Sequence, residues 1–223
     1  SPAVCACFLV GRQHGLQSLG NNTLYQPHAT SLRMSRLGYQ NTVQRDLHVS
    51  YNRLDHYIRD LSHAIHTPYP AFEQLGVKNA DGDYVQMNTN ILQIENEYYG
   101  LIRPKRTTLR GEKPTQALRS RGVEYVELRC VDLNPFTPTG IDSPTAHFLE
   151  VFALHSLLCG EAPFTPAEYA QLGERQETMV ERGREPGLQL RVDEENTGFA
   201  EVAGRFLAEM AEIAVLLDQA HQT

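Results

Sequence analysis

Residues 123–135, VEYVELRCVDLNP, constrain the fold more than any other part of the chain. With the two-residue period of a strand, Val126, Leu128 and Cys130 fall on one face, and Tyr125, Glu127, Arg129 and Val131 on the other. An apolar face opposite a glutamate and an arginine predicts a sheet with one side in the core and one polar side lining something that needs charge. Pro135 has no N–H to give a ladder, so the strand is expected to end near Asn134.

Residues 85–99, VQMNTNILQIENEYY, have similar character. Val85, Met87 and Ile91 alternate in one phase, then Leu92, Ile94 and Tyr98 in the other. A period of two changes face only at a bulge or bend, expected here at Ile91-Leu92. Beyond it Gln93, Glu95, Glu97 and Tyr99 share a face. A Glu-x-Glu pair alone describes an ordinary solvated surface as well as a binding one. Two strands that each present carboxylates from a rigid frame favour metal or substrate binding.

A chain of 223 residues with 41% hydrophobic content supports one domain or a domain and a half. A net charge of −7 and a pI near 5.7 argue against nucleic-acid binding, which favours a basic face. The basic residues are nonetheless concentrated between the two strands, where Arg103, Lys105, Arg106, Arg110, Lys113, Arg119 and Arg121 stand against Glu112 alone. Cys5, Cys7, Cys130 and Cys159 match neither a disulfide framework nor a zinc spacing, so reduced thiols in a cytoplasmic protein are expected. The apolar run 3–10 is too short to span a membrane and lacks a basic leader, so no membrane association is expected. A start at Ser1-Pro2, without Met, predicts a piece of a longer chain.

Along the chain, residues 4–10 read as a buried strand and 11–22 as a polar loop. Residues 25–41 form an irregular segment whose Arg33, Arg36 and Tyr39 either contact a ligand or sit on a solvated connector. A helix is expected over 50–66, burying Leu54, Tyr57, Ile58, Leu61 and Ile65, capped by Ser50 and stopped by Thr67-Pro68. NADGD, at 79–83, is a turn into the 85–99 strand. Ser143-Pro144 opens a second helix with Phe148, Val151, Phe152, His155 and Leu158 as its buried stripe. His155 reads there as a packed, hydrogen-bonded core residue and not as a ligand. Thr165-Pro166-Ala167-Glu168 is a capping box for a helix reaching about Arg182. The last helix begins at Thr197 and buries Phe199, Val202, Phe206, Met210, Ile213 and Leu217. Sheet-rich 1–135 followed by helix-rich 136–223 gives an α+β chain.

Glu127 and Arg129 project from one strand face, roughly 7 Å apart at the backbone. Glu127 offers hard oxygens to a divalent cation, and Arg129 a planar fork to phosphate or carboxylate. As a mere surface ion pair they would contribute about 0–1 kcal/mol. Phosphoryl transfer wants both a metal and a cation near the transferred group, because charge spreads over its oxygens. The loop of Arg103, Pro104, Lys105 and Arg106 adds either nucleotide-phosphate contacts or only solvated charge. A hydrolase built on Glu95 and Glu97 ranks last. Alternate positions on a strand hold carboxylates parallel, whereas glycosidases face them across about 5–9.5 Å.

Four stretches, ATSLRMSRLGYQN (29–41), LQIENEYYGLIRPKR (92–106), GVEYVELRCVDLNPFTPTGID (122–142) and ERGREPGL (181–188), resemble the bacterial glutamate–cysteine ligase family of the gamma-proteobacterial type. The resemblance covers most of the chain in the right order and fades over 11–23 and the last 30 residues. It implies a glutamine-synthetase-like fold with the site against one face of an antiparallel sheet. It also implies ATP-dependent ligation of L-glutamate, through an acyl phosphate on its side-chain carboxylate, to the amine of L-cysteine. By the same resemblance Glu127 matches a Mg²⁺ ligand and Arg129 a residue touching the transferred phosphate. Arg33, Tyr39 and Tyr99 match the pocket for the cysteine substrate, chiefly its carboxylate. The family's other metal ligands and most of its glutamate pocket belong to an N-terminal part not present here, so the 223 residues are expected to be a partial catalytic domain, inactive alone. A related ligase with another amine acceptor, or a non-catalytic amino-acid-binding module, are the alternatives.

Overall fold

The computed structural model describes residues 2–11, 14–38, 42–44, 47–160, 162–192 and 195–221. In chain order the elements are β1 (Ala3–Cys5), β2 (Gln17–Gly20), β3 (Thr23–Tyr25), α1 (Leu54–Ala64), α2 (Pro70–Leu75), β4 (Ile102–Lys105), α3 (Pro114–Arg121), β5 (Tyr125–Leu128), α4 (Ser143–Leu158), α5 (Pro166–Arg182), β6 (Gln189–Val192), β7 (Glu195–Gly198) and α6 (Phe199–His221). The strands pair antiparallel as β1-β3-β2, β4-β5 and β6-β7, so the class is α+β with small sheets. The chain divides into an inserted unit, residues 39–131, and a flanking unit made of 1–38 and 132–223. Among the described residues no helix is long and apolar enough to cross a membrane.

The inserted unit is packed around α1. Tyr57, Ile58, Leu61 and Ala64 form its buried stripe and meet Val49, Leu92 and Leu118 in one core cluster. The stripe is the one the spacing predicts, but the cap is not. Ser50 gives its N–H to Asp60 Oδ2 at 3.0 Å, and the helix begins after Arg53, which makes no side-chain cap. NADGD does make a turn: Asn79 Oδ1 accepts the N–H groups of Asp81 and Asp83, and a single bridge joins Lys78 to Tyr84.

No strand follows that turn. Over 85–99 the side chains capture the backbone groups that a ladder would need. Met87 N–H donates to Gln93 Oε1 at 2.6 Å, Asn90 N–H to Asn88 Oδ1 at 2.9 Å and Gln93 N–H to Glu97 Oε2 at 2.7 Å. The segment ends in a 3-10 turn, Glu95–Glu97. Glu95 is buried and caps α3, accepting the Thr115 N–H at 2.8 Å and the Thr115 hydroxyl at 2.6 Å.

In the flanking unit the strand expected over 4–10 stops at Cys5. The Cys5 thiol accepts the Cys7 N–H and caps a 3-10 turn, Ala6–Leu9, which leaves Phe8 and Val10 exposed. The segment read as a loop contains a hairpin instead. Asn21 and Asn22, both at positive φ, form a two-residue turn between β2 and β3. Paired asparagines tolerate that conformation, and this was the available signal.

Helix α5 is the element the sequence predicts most closely. Thr165 Oγ1 accepts the Glu168 N–H at 3.3 Å, and Glu168 Oε2 accepts the Thr165 N–H at 2.6 Å. A helix also ends with carbonyls that lack intrahelical partners, and here those of Val180, Glu181 and Arg182 each find one. Met179 O takes the Thr30 hydroxyl at 2.7 Å and the Gly183 N–H, and Val180 O takes the N–H groups of Thr30 and Ser31. Glu181 O takes Gln26 Nε2, and Arg182 O takes the Glu185 N–H. A Cβ at Gly183 would lie 2.6 Å from Thr30 Cγ2, so glycine permits the approach.

The other two long helices differ from expectation. Asp142, not Ser143, caps α4, accepting the Thr145 N–H at 2.8 Å. Of its proposed stripe only His155 is buried, while Phe148, Phe152 and Leu158 are exposed. Residues Glu195–Gly198 form β7, paired with β6, so α6 starts at Phe199 and not at Thr197. Met210 is its one buried position among the described residues.

Candidate functional site

The β4-β5 ribbon gathers the charge. Arg103 lies opposite Glu127 and Lys105 opposite Tyr125, so all four share a face, with Ile102, Pro104, Val126 and Leu128 on the other. The alternation is as the sequence predicts, but the burial is reversed. Val126 is 54% exposed and Cys130 is exposed, whereas Arg103 is 6% exposed. The strand also ends at Leu128, well short of Asn134, and the expected basic loop at Arg103 and Lys105 is itself strand β4.

Charge tolerates this burial because most of it faces a partner. Glu127 Oε1 lies 3.2 Å from Arg129 Nε, and Glu127 Oε2 lies 3.2 Å from Lys105 Nζ. Oε2 is buried, and the Lys105 ammonium is the charge that faces it. Burial raises the Glu127 pKa, but Lys105 and Arg129 together outweigh it and hold the carboxyl below its usual range. Arg103 Nη2 donates to Asn96 O at 2.9 Å, while its buried Nε has no hydrogen-bond partner. Arg106 Nη2 donates to Arg121 O, and Nη1 stands 3.8 Å from Glu124 Oε2. Tyr51 steadies the ribbon through a 2.7 Å bond from its hydroxyl to Ile102 O. That approach needs Gly100, where a Cβ would lie 2.6 Å from the Tyr51 hydroxyl oxygen.

Tyr99, also in the inserted unit, is 42% exposed. Its N–H donates to Gln44 Oε1 at 2.9 Å, and Gln44 Nε2 donates to Glu97 O at 2.8 Å. Sequence reasoning did not single out Gln44, which fixes the backbone on both sides of Tyr98. Arg33 belongs to the flanking unit, on a 3-10 turn, Leu32–Met34, capped by Ser31. Its Nη1 lies 3.8 Å from Asp132 Oδ1, which also accepts the Ser31 hydroxyl at 2.8 Å. Nearby Arg36 forks onto Glu177, with contacts of 3.2 and 2.7 Å. Tyr39 lies outside the described residues.

The ribbon face can therefore hold an anion between cations and can offer one hard carboxylate oxygen to a metal. The glutamate–cysteine ligase family profile matches residues 1–179. Glutamate–cysteine ligase from Alcanivorax borkumensis is 48% identical over 99% of this chain and 43% of its own length. The Pseudomonas aeruginosa PAO1 enzyme is 50% identical over 99% of this chain and 41% of its own. A crystal structure of glutamate–cysteine ligase (gshA) from Francisella tularensis in complex with AMP superimposes with a TM-score of 0.89 at 35% identity. The overlap covers 96% of this chain and 43% of that one. The chain thus spans about two fifths of the length of these curated relatives.

Proposed function

This chain belongs to the glutamate–cysteine ligase family, and from that premise we propose that it carries part of the active site of an ATP-dependent ligase. The reaction joins the γ-carboxylate of L-glutamate to the amine of L-cysteine through an acyl phosphate, giving γ-glutamylcysteine for glutathione synthesis. The observation that carries this reading is Glu127 held between Lys105 and Arg129 on the ribbon face. Arg129 presents its fork to the phosphoryl group in transfer, where charge-assisted bonds strengthen as charge develops. Lys105 and Arg106 supply further contacts to nucleotide phosphates. Arg103, being buried, contributes positive potential more than a direct contact.

Glu127 Oε2, buried without a hydrogen bond but 3.2 Å from Lys105 Nζ, would give Mg²⁺ one ligand by exchanging that ammonium for the metal. Mg²⁺ would neutralise charge on the transferred phosphoryl group. One carboxylate does not complete a magnesium site, so the other ligands and the glutamate pocket come from the length of the ligase that this chain does not span. The match to the family's motifs assigns Arg33, Tyr39 and Tyr99, each by itself, to binding the cysteine substrate, chiefly its carboxylate. The small sheets are portions of a glutamine-synthetase-like antiparallel sheet, and residues 1–223 are a partial catalytic domain of a cytoplasmic enzyme. The four cysteines, none of them in a disulfide, suit that compartment.

The test is ATP hydrolysis dependent on both glutamate and cysteine, measured on the 223-residue chain and on the complete ligase that contains it. Turnover is expected only in the complete enzyme. Robust turnover by the chain alone would overturn the partial-site reading. A complete enzyme that hydrolyses ATP equally well without cysteine would overturn the acceptor assignment.

A further inference from the structure

Three different metal-binding chemistries meet where α4 packs on α6. His155 is 4% exposed on α4. Cys159 closes that helix as its C-cap in helical conformation, with its N–H on His155 O at 3.0 Å, so the two side chains stack one turn apart. The Cys159 thiol lies 3.3 Å from His155 Nε2 and 3.6 Å from Nδ1. Glu209 reaches across from α6 and places Oε2 2.8 Å from Nε2. Phe206, on the same helix, meets the imidazole edge-on with centroids 5.8 Å apart, which fixes the ring plane. The three donor atoms lie within 4.8 Å of one another, the one such group among the described residues.

We propose that His155, Cys159 and Glu209 form a binding site for a borderline-soft divalent cation of the zinc type, clamping α4 to α6. Tetrahedral zinc with bonds of about 2.0–2.3 Å holds its ligand atoms about 3.3–3.8 Å apart. The thiol–imidazole separation already matches. The imidazole–carboxylate pair must open by about half an ångström from its hydrogen-bonded distance, and the Glu209 side chain, 60% exposed, is free to swing that far. Binding takes the imidazole tautomer with its proton on Nδ1, which leaves the Nε2 lone pair for the metal. The thiol releases its proton to solvent, leaving a thiolate and a carboxylate to balance the charge of the ion. Cys159 and Glu209 both face solvent, which gives the cation an entry path and leaves water as the fourth ligand. A thiolate with an imidazole selects against magnesium and calcium, which take oxygen ligands. The site uses none of the ribbon residues and stands apart from the ligase reading.

Titrating the 223-residue chain with Co²⁺ should produce a thiolate-to-cobalt charge-transfer band and visible bands of tetrahedral intensity. These should saturate at one equivalent and vanish when Zn²⁺ displaces the cobalt. Replacing Cys5, Cys7 and Cys130 together by serine should leave the bands intact. Adding Cys159→Ser should abolish the charge-transfer band, and Glu209→Gln should weaken binding severalfold. On the unaltered chain, Zn²⁺ should slow alkylation of Cys159 and leave Cys130 unaffected. Absence of the bands, their survival in Cys159→Ser, or Cys159 alkylation indifferent to saturating Zn²⁺ would each overturn the site.

Discussion

Around α1 the stripe residues Tyr57, Ile58 and Leu61 are only 3–4% exposed, whereas along α4 Phe148 and Phe152 remain 46% and 37% exposed. Both helices show apolar spacing, yet only along α1 is the aromatic and aliphatic stripe covered. The difference lies in what surrounds the stripe. Helix α1 carries Asp55, Arg59 and Asp60 on its other side, so its pattern defines a single buried face. Helix α4 is apolar nearly all round, a pattern that belongs in the interior of a larger protein. Apolar periodicity states a demand for cover, and in a chain spanning 41–43% of its relatives' length that demand is not met along α4.

The sharpest way to break this contrast is to truncate one side chain in each region. Leu61→Ala should lower the unfolding free energy by about 2–5 kcal/mol, as buried leucines do. Phe148→Ala should change it by less than about 1 kcal/mol, as for an exposed position. Equal losses in urea denaturation would mean that α4 is covered in solution. The next largest effect tests the two arginines. In the complete ligase Arg129→Lys should lower kcat/KM about 100-fold, the scale for loss of a transition-state contact. Arg36→Lys, which disturbs only the fork onto Glu177, should stay within about twofold, since exposed pairs contribute little. Matching kinetics would remove Arg129 from the phosphate.

Thr165→Ala, removing half of the capping box, should destabilise the flanking unit by about 1 kcal/mol and leave exchange in α1 unchanged. The smallest effect is electrostatic. The Arg121 hydrogen bond, with a backbone bond to Leu109, lowers the Glu112 pKa to about 2. A carboxyl depressed on folding adds stability that is full above about pH 4.5 and fades as pH falls toward 2. Glu112→Gln should therefore flatten the acid limb of a stability–pH profile while leaving its slope near neutrality alone.

Where local chemistry dictates structure, the sequence was a faithful guide. The α5 capping box, the α1 stripe and the alternation of the β4-β5 ribbon each follow from residues a few positions apart. The failures share a cause, which is competition from partners that periodicity does not weigh. The 85–99 alternation was real, but Asn88, Gln93 and Glu97 bond the backbone themselves. Spacing reads Arg103 as loop charge, yet it is buried in β4 with Nη2 bonded to Asn96 O. Glu127 and Arg129 were legible because they are neighbours on one strand. The meeting of His155 and Cys159 with Glu209 was not, because it depends on two helices fifty-four positions apart.

The fastening of residues 26–31 to the end of α5 bears on how the chain is made. Those donors emerge from the ribosome some 150 positions before the carbonyls that receive them. Contacts so far apart in sequence form late and slow the search for the native state. The turn that carries Arg33 therefore has to wait, unanchored, while the whole of residues 39–131 is synthesised and can fold ahead of it. A ribosome stalled before residue 179 would hold a nascent chain whose α1 resists protease and whose residues 26–31 do not.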